Sequence, residues 1–324
     1  MEEIRALHES SGPTILQILI PSCNIFAPRL QKNRDAILSV KRTTETYGPH
    51  PRQKLDIYLP SDAPDAAPIL LFAYGGGLTG GDKIVPDFMI PDGLMYHNLG
   101  AFFANRGFRV VIPDYRRVNS ERGGEDAVFP SGAEDLSLAI KWVQAKVAAG
   151  TDRKTDMFLM GNSAGGLHAC TFLLEPRYLE QRKELATGAE GLLLQGFIDL
   201  SVPHHFKSAD QSRALTNETY FGSPIGIESR CPYGLLATAI ESGKSKQELA
   251  VPRTLVLVDE FDPEDEISET INDFVNLWKK GWGQDDLSFQ TIEGHNHFTP
   301  VAALMSGVGE AWGEDVVKWM KQSQ

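Results

Sequence analysis

Short apolar runs alternate with longer helical stretches from about residue 55 onward, and few folds accommodate that rhythm. The runs are LDIYLP (55–60), ILLFAY (69–74), FRVVIPDY (108–115), DMFLMGNS (156–163), LLLQGFID (192–199), TLVLVDEFD (254–262) and LSFQTIEG (287–294). The spacing predicts helices over 94–106, 133–149, 164–174, 264–280 and 308–322. Several runs are apolar throughout rather than alternating, so both faces of those strands are expected to be buried, as in a mostly parallel sheet covered by helices on both sides. Residues 200–249 break the rhythm with PHHF and SRCPY and read as an excursion above the sheet. Residues 1–40 lack strand alternation, and Pro13 and Pro21 bracket TILQILI as a short helix or apolar flap. The expected organisation is an N-terminal segment, 1–40, serving as a cap, a flap or a dimer contact, followed by one α/β domain, 41–324.

Composition removes several function classes. The 324 residues carry 31 Lys and Arg against 43 Asp and Glu, a net charge of −12. That balance opposes binding to nucleic acid, which needs cations to displace counterions from phosphates, and opposes docking on anionic lipid. Cys23, Cys170 and Cys231 are widely spaced and form no CxxC, so they read as buried thiols rather than a disulfide framework or zinc cluster. The N-terminus is polar and acidic, and the apolar stretch 15–20 is far shorter than the roughly 18 residues a membrane span requires. A soluble, cytoplasmic protein is expected.

Gly161, Asn162, Ser163, Ala164 and Gly165 spell G-x-S-x-G where a strand ends and an apolar helix begins. A serine on such a tight turn is exposed at the sheet edge, with the helix N-terminus behind it, and the flanking glycines leave room for the backbone to pass. Ser163 is therefore the candidate nucleophile. Tyr74-Gly75-Gly76-Gly77-Leu78 follows ILLFAY directly, where backbone N–H groups would face a cavity. Gly75, Gly77 and Gly80 also satisfy a dinucleotide fingerprint, but Pro86 and Pro91 forbid the helix that motif must open. A phosphate loop fails as well, because Asp82 stands where lysine is needed.

A base is expected after the last strand, which selects His295 and His297 in GHNHFTP over the other six histidines. Metal binding by that pair lacks an accompanying Glu or Cys pattern. His204 and His205 are adjacent, so at most one serves a site; His8, His50, His97 and His168 read as surface or packing residues. The orienting carboxylate is expected after the preceding strand. Asp262, just before Pro263, fits a capping position at the following helix, with Asp259 the runner-up. Serine, carboxylate and histidine in that order suit an α/β-hydrolase rather than other serine-triad folds.

At this point the sequence resembles the α/β-hydrolase carboxylesterases of the hormone-sensitive-lipase-like type and the kynurenine-formamidase-like branch. The resemblance runs from about Leu55 onward and rests on YGGGL, DYR (114–116), FPSGAEDLSLAIKWV (129–143), GNSAGG, DEFDP and GHNHF. It implies an α/β-hydrolase fold, His297 as the base, and Gly76, Gly77 and Ala164 as oxyanion donors. One departure stands out: the family usually has histidine before the triple glycine, where this chain has Tyr74. The backbone donors survive that change, so the hole is expected to persist with altered support.

The expected chemistry is attack by Ser163 on an acyl carbonyl, with His297 moving the proton, Asp262 orienting the imidazole and water releasing an acyl-enzyme. No cofactor or metal is needed. Tyr74, Leu78, Phe206, Tyr220, Phe221 and Phe298 are the candidate lining of an apolar site for a small-molecule ester or amide. An arylformamidase or amidase would use the same triad, as would a lactonase or acyltransferase. A binding protein on this fold would show a broken triad, and here all three members are present.

Overall fold

The computed structural model describes residues 1–60, 67–121, 123–148 and 154–322. Eight strands form one sheet: β1 (Arg42–Thr46), β2 (Lys54–Tyr58), β3 (Ile69–Ala73), β4 (Arg109–Pro113), β5 (Thr155–Asn162), β6 (Leu192–Leu200), β7 (Arg253–Asp259) and β8 (Leu287–Ile292). Their spatial order is β1-β2-β4-β3-β5-β6-β7-β8, antiparallel only where β2 meets β1 and β4. This is the α/β-hydrolase arrangement. Strands β2 to β8 fall on the seven expected runs, overstepping them by at most one residue, and β1, a polar and half-exposed edge strand, was not anticipated because RTTET has no apolar pattern.

The helices are α1 (Glu2–Ser11), α2 (Ile15–Lys32), α3 (Arg34–Leu38), α4 (Leu94–Ala104), α5 (Ser131–Val143), α6 (Ala164–Leu174) and α7 (Leu179–Thr187) in the first half. Then come α8 (Ala214–Phe221), α9 (Pro224–Arg230), α10 (Pro232–Glu241), α11 (Glu269–Trp282), α12 (Thr299–Ala303) and α13 (Ala311–Lys321). The end of the helix expected over 133–149 falls partly on Ala149, outside the described residues. Period-two alternation sorts each buried strand between two layers. In β3, Leu70 and Phe72 belong to one core cluster with Phe102 and Phe103 of α4 and Trp312 and Trp319 of α13; Ile69, Leu71 and Ala73 belong to the other, with Leu136 and Ile140 of α5, Phe172 of α6 and Phe274 of α11.

One expectation needs correction. Pro21 does not end a short helix: α2 runs on through Pro21 and Pro28. Each proline removes one backbone hydrogen bond, but Ile18, Ser22, Phe26 and Leu30 recur every four residues along one buried face, and that packing carries the helix past them. The segment expected as an excursion, 200–249, holds helices α8 to α10. Pro224 and Pro232 stand at first helical positions, and Ser223 and Cys231 cap α9 and α10 by accepting from Gly226 and Gly234 N–H groups.

Candidate active site

Ser163 sits between β5 and α6 with φ 52° and ψ −126°, a conformation that a non-glycine residue adopts only under constraint. The constraint is visible in the neighbours. A Cβ on Gly165 would stand 2.2 Å from the Ala73 carbonyl oxygen, so only glycine lets α6 approach the end of β3 this closely. Ser163 N–H donates to Leu200 O at 3.0 Å, tying the turn to β6. The Oγ remains free to face His297, whose Nε2 lies 2.9 Å away. His297 Nδ1 in turn lies 2.8 Å from Asp262 Oδ1. Asp262 and His297 are both buried, Ser163 only partly so.

Three expected residues are thus joined in one hydrogen-bonded line, and the two alternatives are not. His295 Nε2 donates to Gly309 O at 2.9 Å, which leaves Nδ1 to accept from the Thr299 hydroxyl at 3.0 Å. Both ring nitrogens are occupied and burial pushes its pKa down to about 4, so it is a neutral structural imidazole. Neither it nor His297 has a nitrogen left for a metal. Asp259, the runner-up carboxylate, does not face His297; it lies behind Asp262.

The glycine loop lies against Ser163. A Cβ on Gly75 would be 3.0 Å from Ser163 Cβ, and one on Gly76 only 2.3 Å from Gly80 O, whose residue returns an N–H to Gly76 O at 2.8 Å. Ala164 opens α6, and the first N–H groups of a helix have no partner inside it. Leu78, Tyr220 and Phe221 gather with Ala164, Leu167 and Val202 in one apolar cluster, with Phe206 packed on its rim. Phe298 meets His297 edge-on at 5.6 Å. Arg213, on the turn before α8, stands 3.4 Å from where a Gly77 Cβ would be and pairs with Glu266 at 3.0 Å, bridging the glycine loop to the turn after Asp262. Sequence patterning offered no signal for that bridge.

The described residues also contain one buried grouping with metal-ligating side chains, Cys170, Asp199 and His204, lying within 4.8 Å of one another. His204 Nε2 bonds Asp199 Oδ2 at 2.9 Å, so the oxygen that faces the thiol is already engaged. His204 also stacks on Phe274 at 4.0 Å. His205 instead reaches Asp273 at 3.1 Å.

The BD-FAE family model matches residues 55–256, more than half of the chain. The chain belongs to the BD-FAE family. Among curated relatives, this BD-FAE member is 33% identical over 143 residues to a probable isoprenylcysteine alpha-carbonyl methylesterase of Oryza sativa subsp. japonica, covering 43% of this chain and 30% of that one. It is 27% identical over 128 residues to the cholinesterase of Mus musculus, covering 38% and 20%. It therefore spans less than a third of the length of either relative. Among solved structures, a hyperthermophilic esterase from Pyrobaculum calidifontis superposes with a TM-score of 0.63 at 17% identity, covering 99% of this chain and 96% of that one. Carboxyl esterase 2 of Tuber melanosporum gives 0.60 at 16% identity, covering 88% and 87%. At such identities the likeness is one of fold.

Tyr74 of this BD-FAE member departs from the lining expected for it. Its ring is fully buried between Tyr115 at 4.9 Å and Tyr96 at 5.4 Å, away from the Leu78 and Phe221 cluster. The hydroxyl donates to Asp114 Oδ1 at 2.6 Å and accepts from Arg52 Nη2 at 3.1 Å. Arg52 Nη2 also donates to Gly81 O at 2.7 Å. Burial, followed by the Asp114 charge, holds the phenol well above its ordinary pKa, so it stays a donor. Tyr74 thus anchors the far end of the glycine loop through Asp114 and Arg52. Arg52 lies before the recognisable motifs and carried no sequence signal.

Proposed function

We propose that this chain hydrolyses carboxylic esters of a small-molecule substrate through an acyl-enzyme on Ser163. The observation that carries the reading is the line Asp262–His297–Ser163, with contacts of 2.8 and 2.9 Å. In that geometry His297 takes the Ser163 proton as the hydroxyl attacks the acyl carbon, and returns it to the departing alcohol oxygen. Asp262 holds the imidazole with its Nδ1 proton inward and balances the charge that develops on the ring. Gly76, Gly77 and Ala164 N–H groups are assigned to the oxyanion, where one donor is worth roughly a hundredfold to a thousandfold in turnover. Water then repeats the sequence on the acyl-enzyme. Leu78, Phe206, Tyr220, Phe221 and Phe298 are read as the apolar wall of the site, and α8 to α10 as its cap.

Residues 1–40 are read as a brace for the loops of the acid and base rather than as a flap. The support is local: Arg5 pairs with Glu260 at 3.1 Å, His8 stacks on Phe261 at 4.6 Å, and Ser22 bonds Asn296 at 3.0 Å.

Activity-based labelling with a fluorophosphonate, followed by turnover of p-nitrophenyl esters graded by acyl length, tests the reading. Wild type is expected to label and turn over; Ser163→Ala is expected to do neither. A Ser163→Ala protein that turns over esters at the wild-type rate overturns the assignment.

A further inference from the structure

One buried hydroxyl is shared by two carboxyl groups behind the candidate base. Ser201 lies just past β6, is fully buried, and places Oγ 2.6 Å from Asp262 Oδ2 and 2.9 Å from Asp259 Oδ2. A serine hydroxyl has one hydrogen and donates to one acceptor. With both carboxyl groups ionised, the other contact would press an oxygen lone pair against a carboxylate oxygen, and two negative charges would share a site out of water. Among the described residues no Lys or Arg pairs with either group; the single ionisable partner is His297, on Asp262. Hydrogens and acceptors match when Asp259 carries a proton and donates to Ser201 Oγ, while Ser201 donates to Asp262.

We propose that Asp259 is a neutral carboxylic acid that acts through Ser201 to position the Asp262 carboxylate against His297. The proposal rests on Asp262 being the orienting carboxylate of the proposed function. Two backbone observations support it. Asp259 N–H donates to the same Asp262 Oδ2 at 2.9 Å, and Asp262 N–H returns to Asp259 O at 3.1 Å, so the loop after β7 closes on itself around the carboxylate. Ser201 has φ 50°, in the left-handed region, with its N–H held by Leu257 O at 2.8 Å. A strained serine at a strand end is maintained only where its surroundings over-determine it. Burial, then the charge of Asp262, pushes Asp259 well above the usual carboxylate range, against a smaller opposing contribution from the Ser201 contact. The titratable groups in this region are Asp262 on the same loop, His297 beyond it, and Asp199 with His204 beside β6, which are bonded to each other.

Asp262 then has both oxygens occupied: Oδ1 by His297, Oδ2 by the Ser201 hydroxyl and the Asp259 N–H. The carboxylate cannot rotate away from the imidazole. A neutral Asp259 adds this hold without a second negative charge, which would bind a proton more tightly on the base.

The test compares kcat/KM against pH for p-nitrophenyl butyrate in wild type, Ser201→Ala, Asp259→Ala and Asp259→Asn, each checked for folding by thermal melt. Ser201→Ala and Asp259→Ala are expected to lower kcat roughly tenfold to hundredfold with little change in KM, as an imidazole loses its fixed orientation. Asp259→Asn, whose amide donates to Ser201 as a carboxylic acid would, is expected to recover most of that loss and leave the acid limb of the profile within about 0.2 pH unit of wild type. An Asp259→Asn limb displaced downward by about half a unit or more would mean that a charge has been removed, and overturns the proposal. Folded alanine variants with wild-type kcat overturn it as well. A wild type inert to esters and to the fluorophosphonate defeats the proposed function instead. The protonation of Asp259 is then read directly, from a protonated-carboxyl stretch in the infrared difference spectrum between wild type and Asp259→Asn; its absence overturns the proposal independently of activity.

Discussion

Two imidazoles two residues apart are put to different uses by what surrounds them. His295 is locked between Thr299 and Gly309, whereas His297 has its Nε2 directed at Ser163. His295→Gln is therefore expected to keep ester turnover within a few-fold while losing about 1–3 kcal/mol of stability, measured by urea titration. His297→Gln is expected to fold like wild type and lose turnover by several orders of magnitude. Tyr74→Phe removes a donor from buried Asp114 and an acceptor from Arg52, so a stability loss of about 1–3 kcal/mol is expected, together with a lower kcat as the Gly81 anchor loosens. Ser163 could be read from five residues because its strained turn needs glycines at fixed offsets. Ser201 and Arg52 could not, because their partners lie on other strands or loops, and no spacing along the chain encodes which strand ends become neighbours.

Among the elements, α6 shows how closely helix and sheet must meet for Ser163 to be presented on its turn. A Cβ on Gly165 would fall 2.2 Å from Ala73 O and 2.3 Å from Tyr74 O, both rigid backbone atoms. Gly165→Ala is expected to push α6 outward, at a cost of roughly 1–3 kcal/mol or more, and to abolish fluorophosphonate labelling even in the fraction that stays folded. The central strands were legible because a buried parallel strand must be apolar on both faces, as β3 is at every position. The helices of the excursion and α2 were less so. Proline in the sequence signals a boundary, but Pro224 and Pro232 begin helices and Pro21 is overridden by packing. Phe261, next to Asp262, is covered by Ile4 and Phe26 of the first two helices. Deleting residues 1–11 is expected to lower the melting temperature by a few degrees and to reduce kcat more than it raises KM, as the acid loop loses its cover.

For the molecule as a whole, buried titratable groups make stability depend on pH in two opposed ways. Burial lowers the pKa of His168 to about 3 and that of His295 to about 4. Below about pH 6.5 the unfolded chain takes up protons that these folded imidazoles refuse, so their contribution is full above that value and is lost as pH falls toward 4 and then 3. Asp259 runs the other way. Its pKa is raised on folding, so its contribution is full below about pH 4 and is lost as pH rises toward its folded value. Urea titrations of wild type and Asp259→Asn are expected to diverge with rising pH, the asparagine chain gaining the advantage, while both weaken below pH 6 through the histidines. The sheet order adds a consequence in time. Ser163, Ser201, Asp262 and His297 follow β5, β6, β7 and β8, which are laid side by side in the order they are synthesised. A ribosome that has made Ser163, the proposed nucleophile, must still add more than a hundred residues before His297 exists. On the proposed mechanism, a chain whose β8 has not yet docked carries Ser163 without its proton acceptor, and is expected to be silent toward esters.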